Sequence, residues 1–488
     1  MSITSPSSPS RLKWLYTEFG LASVVETGPD AWLIMISRSC RMFAYGSNSV
    51  FIALFFSALE YSDFRIGLFM TLTLLGDVFL TLGLTMIADN IGRRRTLLLG
   101  STMMVFSGLI FFYFENYWIL LLAAVVGVIS PSGSDFGPFR AIEESIISQL
   151  TNQHNRSNVL SWYVTSSSFG AAIGIEGTGR LVQLMKDRNN WQDVKTYHYV
   201  FGLYIIMGLV NIICVSLLST KTELESAVEV KQDEEQVPLN RIENGEGEEL
   251  EHEFETEDQQ RQEEVKRNDE QSTSKTTSNN NGNSRFQLTQ ISSSTRSVMY
   301  KLWPLLIVDC LADGMVGYSL TSYYMDTKFQ LKASTLGDFI SISYFLAAIS
   351  TIFAGPIANR IGLINTMVFT HIPSSAAVLL FPLPSSLTIT IVLFFIRTGL
   401  NNMDQAPRAA FIAAVVPSSE RTAVNGITTL LRTLASTAGP SITGGLAQHD
   451  LFWIAFTLAG SLRLAYDFGL WALFVNMKLY QHEGESDG

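Results

Sequence analysis

Apolar positions in this chain do not alternate with polar ones. They gather into long runs, and twelve of these reach the ~20 residues that a helix needs to cross a hydrocarbon layer. The runs cover residues 32–57, 66–88, 96–114, 118–138, 158–180, 198–218, 301–325, 336–358, 364–383, 387–407, 422–446 and 451–475. Gaps such as Glu115–Tyr117 and Pro382–Ser386 leave room only for tight turns. Backbone groups in lipid must be satisfied within the segment, which favours helices. A membrane strand would alternate with a period of two, and Trp118–Ile129 does not. The pattern predicts an all-α polytopic membrane protein.

One stretch breaks the pattern. Residues 221–270 hold 19 Asp/Glu and 6 Lys/Arg, whereas the rest of the chain holds 25 acidic and 27 basic residues. The net charge of −11 is therefore local, and a nearly neutral apolar body carries one acidic insert. Glu-rich sequence passes into a Ser/Thr/Asn-rich run at Ser272–Ser294, too polar for a packed core. The expected organisation is an N-terminal segment 1–31, a six-helix bundle 32–218, a disordered linker 219–298, a second six-helix bundle 299–476 and a tail 477–488. Charged residues make up 16% of the chain against ~25% in soluble domains, which argues against a soluble enzyme. No basic face for nucleic acid is present. Cys40, Cys214 and Cys310 sit in apolar runs, so neither a disulfide framework nor a metal site is expected, and no cofactor is implied. The polar N-terminus lacks a basic start followed by an apolar core, so no cleavable signal peptide is expected. An even number of spans puts both termini on one side, and Arg93–Arg95 favour the cytoplasm.

The two halves repeat. At an offset of 270, Ile66–Leu72 aligns with Leu336–Ile342, and Ile87–Gly92 with Ile357–Gly362. At 269, Asp135–Pro138 aligns with Asp404–Pro407. At 265, Arg156 aligns with Arg421, Gly174 with Gly439 and Gly179 with Gly444. Such matches in chain order imply twelve transmembrane helices in two pseudo-symmetric six-helix bundles. A site near the midplane, at the interface of the halves, follows from that symmetry.

Ionisable groups deep in these spans cost ~2.5–3.5 kcal/mol each, so they are functional candidates. The substrate or coupling candidates are Arg41, Asp77, Asp309, Asp313, Arg397 and Arg432. A carboxylate in a cavity can exchange a proton; an arginine cannot, but it can hold an anion or compensate a carboxylate. Each candidate has a plainer alternative: a structural hydrogen bond for Asp77, buried ion pairs for the arginines. Arg463 and Asp467, four residues apart, suggest a structural pair. Glu143, Glu144, Arg408 and Arg421 are expected near the interface, and His371 reads more readily as a helix feature than as a relay. Phe43, Tyr45, Tyr318 and Tyr323 would suit an amphipathic solute.

Thr85–Arg95 resembles the loop signature of the major facilitator superfamily, G-x-x-x-D-R/K-x-G-R-R/K, with Thr85 and Asn90 departing from it. The second copy, Gly355–Gly362, carries Asn359 in place of Asp. Ser130–Phe139 and Asn365–His371 also resemble a microbial, fungal-like subgroup of general permeases. The resemblance implies a secondary active transporter working by alternating access, with proton coupling. It also implies a gating latch at Asp89, Arg93, Arg94 and Arg95, with Asn359 and Arg360 in the second copy; Asp135 and Asp404, each followed three residues on by a proline, are read from the sequence as a symmetric cytoplasmic gate. Expected partners are a small solute (anionic or amphipathic organic), protons and the lipid bilayer; the chain would act as a monomer in the plasma or vacuolar membrane. The alternative is a receptor or scaffold that signals through the acidic linker. No Gly-x-x-x-x-Gly-Lys-Ser/Thr loop for ATP is present.

Overall fold

The computed structural model describes residues 21–127, 129, 138–151, 153–189, 193–223, 292–417 and 420–475. All regular structure among the described residues is helical. The first half contains α1 (Leu21–Thr27), α2 (Pro29–Ala58), α3 (Asp63–Ile91), α4 (Arg93–Tyr113), α5 (Tyr117–Val126), α6 (Pro138–Leu150), α7 (Gln153–Asn189), α8 (Asp193–Ser216) and a 3-10 turn at Thr220–Thr222. The second contains α9 (Ser293–Met315), α10 (Tyr318–Phe329), α11 (Ala333–Ile361), α12 (Leu363–Leu380), α13 (Leu387–Asn401), α14 (Gln405–Val415), α15 (Arg421–Ala447) and α16 (Phe452–Phe474). Five of these helices contain a span long and apolar enough to cross a membrane, and the bent pair α9–α10 makes a sixth. The expected acidic linker lies outside the described residues, apart from its first residues to Glu223 and its last from Ser292.

The repeat seen in the sequence reappears in the contacts. Gly92 and Gly362, 270 positions apart, both adopt positive φ (101° and 87°) and turn α3 into α4 and α11 into α12. Only glycine takes that conformation without strain. Helix α3 packs on α15 where Gly67 meets Gly444, and α11 packs on α7 where Gly337 meets Gly179. A Cβ at Gly67 would stand 2.2 Å from the Pro440 carbonyl oxygen, so the backbones approach as closely as glycine allows. Each of these residues is the repeat partner of one in the other crossing. On the axis between the halves, Ser319 Oγ donates to the Ser49 carbonyl at 2.5 Å, again across 270 positions.

Three of the expected spans are interrupted. The span at 301–325 bends by 43° between Met315 and Tyr318. Gly439 presses its backbone on Gly314, and Gly317 starts the new helix. The span at 387–407 breaks at Asn402–Asp404, after which Pro407 fits the first turn of α14, where its missing N–H costs nothing. The span at 118–138 is described as helix only to Val126, and a new helix begins at Pro138. Two of these breaks fall on short polar stretches, Asn401–Gln405 and Ser130–Asp135, that a window of about 20 residues averages into the flanking apolar sequence.

The hydrophobic core is divided unevenly. At the end remote from Arg93, one continuous cluster joins both halves, from Phe55, Phe56 and Phe69 to Met315, Phe339, Phe381 and Phe456. At the Arg93 end the described residues form two separate clusters. One is built on Leu97, Phe139, Ile147 and Val159, the other on Leu302, Val368, Phe411 and Leu470. The polar bonds between the halves follow the same division. Tyr323 Oη donates to Asp63 Oδ1 at 2.6 Å, Arg180 pairs with Asp338 at 3.1 Å, Ser341 Oγ donates to the Ala172 carbonyl, and Ser441 bonds Thr71 Oγ1 through both its N–H and its hydroxyl. All lie at the midplane or on the remote side. At the Arg93 end, Ser292 caps α9 and donates from its backbone N–H to Glu420, just before α15. The hydrogen bond from Thr295, followed by the backbone and hydroxyl bonds from Ser292, holds the Glu420 carboxyl below its ordinary range.

Candidate functional site

Each half encloses charge. In the first, Arg41 on α2 forms a bidentate pair with Glu143 on α6, at 2.9 and 2.7 Å. Both side chains are closed to solvent, at 0% and 1% exposure. Tyr163 Oη donates to the same carboxylate at 2.8 Å, the Arg41 guanidinium lies 4.4 Å from the Phe139 ring centre, and that of Arg38 lies 3.9 Å from that of Tyr163. Glu143 is therefore a buried partner and not an interfacial residue. Its place three residues before Ile146–Ile147, on a helix that follows undescribed residues, gave the sequence no sign of this.

The second half holds a larger network between α9, α12, α14 and α16. Arg463 on α16 donates to Asp313 Oδ1 at 2.6 Å, to His371 Nε2 at 2.6 Å, and to Asn401. His371 Nδ1 lies 2.7 Å from Asp467 Oδ1, and Ser375 donates to Asp467 Oδ2 at 2.7 Å. Arg408 pairs with Asp404 at 2.8 Å and stands 3.9 Å from Asp309. The expected pair of Arg463 with Asp467 does not form, because the His371 ring stands between them. Arg408 is buried and not interfacial. His371 is the hub of the network, which a lone histidine next to a helix proline did not announce. The charges are inverted between halves. The first uses a cation on α2 against a carboxylate on α6; the second uses a carboxylate on α9 near a cation on α14.

The remaining candidates are dispersed. Arg397 donates to Thr321 Oγ1 and to the Val316 carbonyl, so it braces the break between α9 and α10. Arg432, half-buried on α15, donates to Cys310 Sγ at 3.3 Å. Asp313 remains 40% exposed and is the most open charge among the ion-paired residues of its network. Asp77 is half-buried on α3, beside the close packing of Gly76 on Val125. Of the gate, the side chains of Asp89 and Asn359 and the whole of Asp135 lie outside the described residues. Arg93 donates to Gln149 at 2.7 Å, its backbone N–H to Glu223 at 2.8 Å, and Arg94 to the Ser216 carbonyl. These bonds stay within the first half. Arg95 and Arg360 are exposed.

Comparison with known proteins agrees with this architecture. An uncharacterized membrane protein of Saccharomyces cerevisiae is 30% identical over 450 residues, covering 92% of this chain and 94% of its own. The xylose transporter XylE from E. coli, in an inward open conformation, superposes with a TM-score of 0.63 at 13% identity, over 93% of this chain and 98% of its own. The nucleoside transporter NupG superposes with a TM-score of 0.64 at 10% identity, over 92% and 100%. At such identities the solved structures speak for the fold alone. The profile of the Major Facilitator Superfamily matches residues 34–265 and 302–485. With its crossed repeat contacts and its buried charge in each half, the chain belongs to the Major Facilitator Superfamily.

Proposed function

We propose that this protein is a secondary active transporter that moves a small organic solute by alternating access, coupled to protons. One observation carries the reading. Among the described residues the core is a single body at the remote end and two bodies at the Arg93 end, the arrangement of a carrier closed on one side and open on the other. The proposed architecture is two six-helix bundles, 32–218 and 299–476, with twelve crossings, the Arg93 end and both termini in the cytoplasm, and the linker 219–298 between them. Arginines near the membrane surface favour that side. In this orientation the described state opens inward.

Asp313 and Arg432 are the charges we assign to the solute, because both are partly exposed. A carboxylate and a guanidinium together suit an organic anion or a zwitterion. Purified protein in liposomes is expected to take up such a solute faster under an inward proton gradient. Asp313→Asn should lower that gradient-driven rate at least tenfold. If Asp313→Asn leaves it unchanged, the assignment of Asp313 to the solute is wrong.

A further inference from the structure

The hydrogen bonds of His371 fix which nitrogen carries its proton. The carboxylate of Asp467 only accepts, so Nδ1 at 2.7 Å from it bears the hydrogen. The guanidinium of Arg463 only donates, so Nε2 at 2.6 Å from it presents a lone pair. The ring is thus neutral and wedged between a carboxylate and a cation. Asp309 Oδ1 lies 3.7 Å from the same Nε2, is buried, and has no hydrogen-bond partner among the described residues. An unsatisfied buried acceptor facing a lone pair is costly unless a proton can come between them.

The geometry points to His371 as a buried proton-binding site, with Asp309 as the acceptor that completes it and Arg463 as the arm that reports its occupancy. A proton adds to the Nε2 lone pair. The bond from Arg463 to Nε2 is then lost, because two donors would face each other. The new Nε2–H turns to Asp309 Oδ1. Arg463 keeps Asp313, the open end of the network. A proton deep between α9, α12 and α16 thereby changes how firmly the exposed carboxylate is held, and a solute that engages Asp313 changes the ring in return. The charged and titratable groups around the ring are Asp309 and Asp313 from α9, Arg408 from α14 with Asp404 just before it, and Arg463, Asp467 and Tyr466 from α16. Arg397 and Arg432 act on Asp313 alone and from a greater distance, while bonded to Val316 and Cys310. The site rests on the proton-coupled reading above, and nothing in that reading requires His371.

The test is nitrogen NMR on full-length protein labelled at histidine rings and embedded in lipid nanodiscs. His371→Gln identifies its signal. A variant keeping only His371 of the six histidines does so independently, should the first not fold. The neutral ring is expected to be the Nδ1–H tautomer and to take up a second proton on acidification, with Asp309→Asn weakening that uptake about tenfold. A neutral ring protonated on Nε2, or equal proton affinity in Asp309→Asn, overturns the site. Gradient-driven flux in liposomes separates the two readings. Flux that persists while the ring ignores Asp309 removes this site alone. A ring that titrates as expected while flux ignores the gradient removes the coupling alone.

Discussion

At the scale of single residues, the sequence showed where charge enters the membrane and not what it meets. Arg41 stood out because a guanidinium amid apolar residues is expensive, but its partner sits 102 positions away on α6. The same is true of Arg463, whose partners come from α9, α12 and α13. Periodicity along one helix can suggest only partners on that helix, so it suggested Asp467 and missed His371. The bidentate Arg41–Glu143 bond gives a direct prediction. Removing one member of a closed ion pair leaves an uncompensated charge, at a cost of about 3–5 kcal/mol, whereas removing both can be nearly neutral. Glu143→Leu is therefore expected to lower the unfolding temperature in detergent sharply, and Arg41→Met with Glu143→Leu to recover most of it. If the double variant is as unstable as the single one, the pair is not the source of the loss.

At the scale of elements, hydropathy located the spans and missed their interruptions. Met315–Tyr318 and Asn402–Asp404 are short interruptions averaged into long apolar segments, and helix continuity at the first is decided by contacts with other elements. The first break exists because Gly314 lies under Gly439 and because Arg397 and Thr321 satisfy the carbonyl of Val316. That gives Arg397 a structural task as the alternative to the solute or coupling role expected from the sequence, and the two can be separated. Arg397→Met removes a charged donor from a buried carbonyl, which costs about 1–3 kcal/mol. Thermal unfolding should show that loss in the absence of any solute. Full stability combined with lost transport would instead make Arg397 a ligand and leave the bend to Thr321.

For the whole molecule, duplication was the most legible property, because offsets of 270 and 265 in the sequence became the crossed contacts Gly67–Gly444 and Gly337–Gly179. Which end is shut was not legible, since the same repeat serves both states of a rocking carrier. The closed end is held by the shared aromatic cluster, by glycine contacts and by hydrogen bonds, Thr71 with Ser441 among them at 2.8 Å. Glycine contacts of this kind let two helix backbones meet directly, beside the aromatic cluster that also joins the halves there. Fastening that point should fix the state. In a background without the three native cysteines, Thr71→Cys and Ser441→Cys are expected to join on oxidation. Spin labels at Arg95→Cys and Arg360→Cys, one exposed position in each half at the opposite end, then report the other gate. Without the bridge, the distance between the labels should show two populations, one short and one long. With the bridge it should collapse to the long one, and reduction should restore both. A short population that persists while the remote end is bridged would mean that the two ends open and close independently, and alternating access by rocking halves would fall with it.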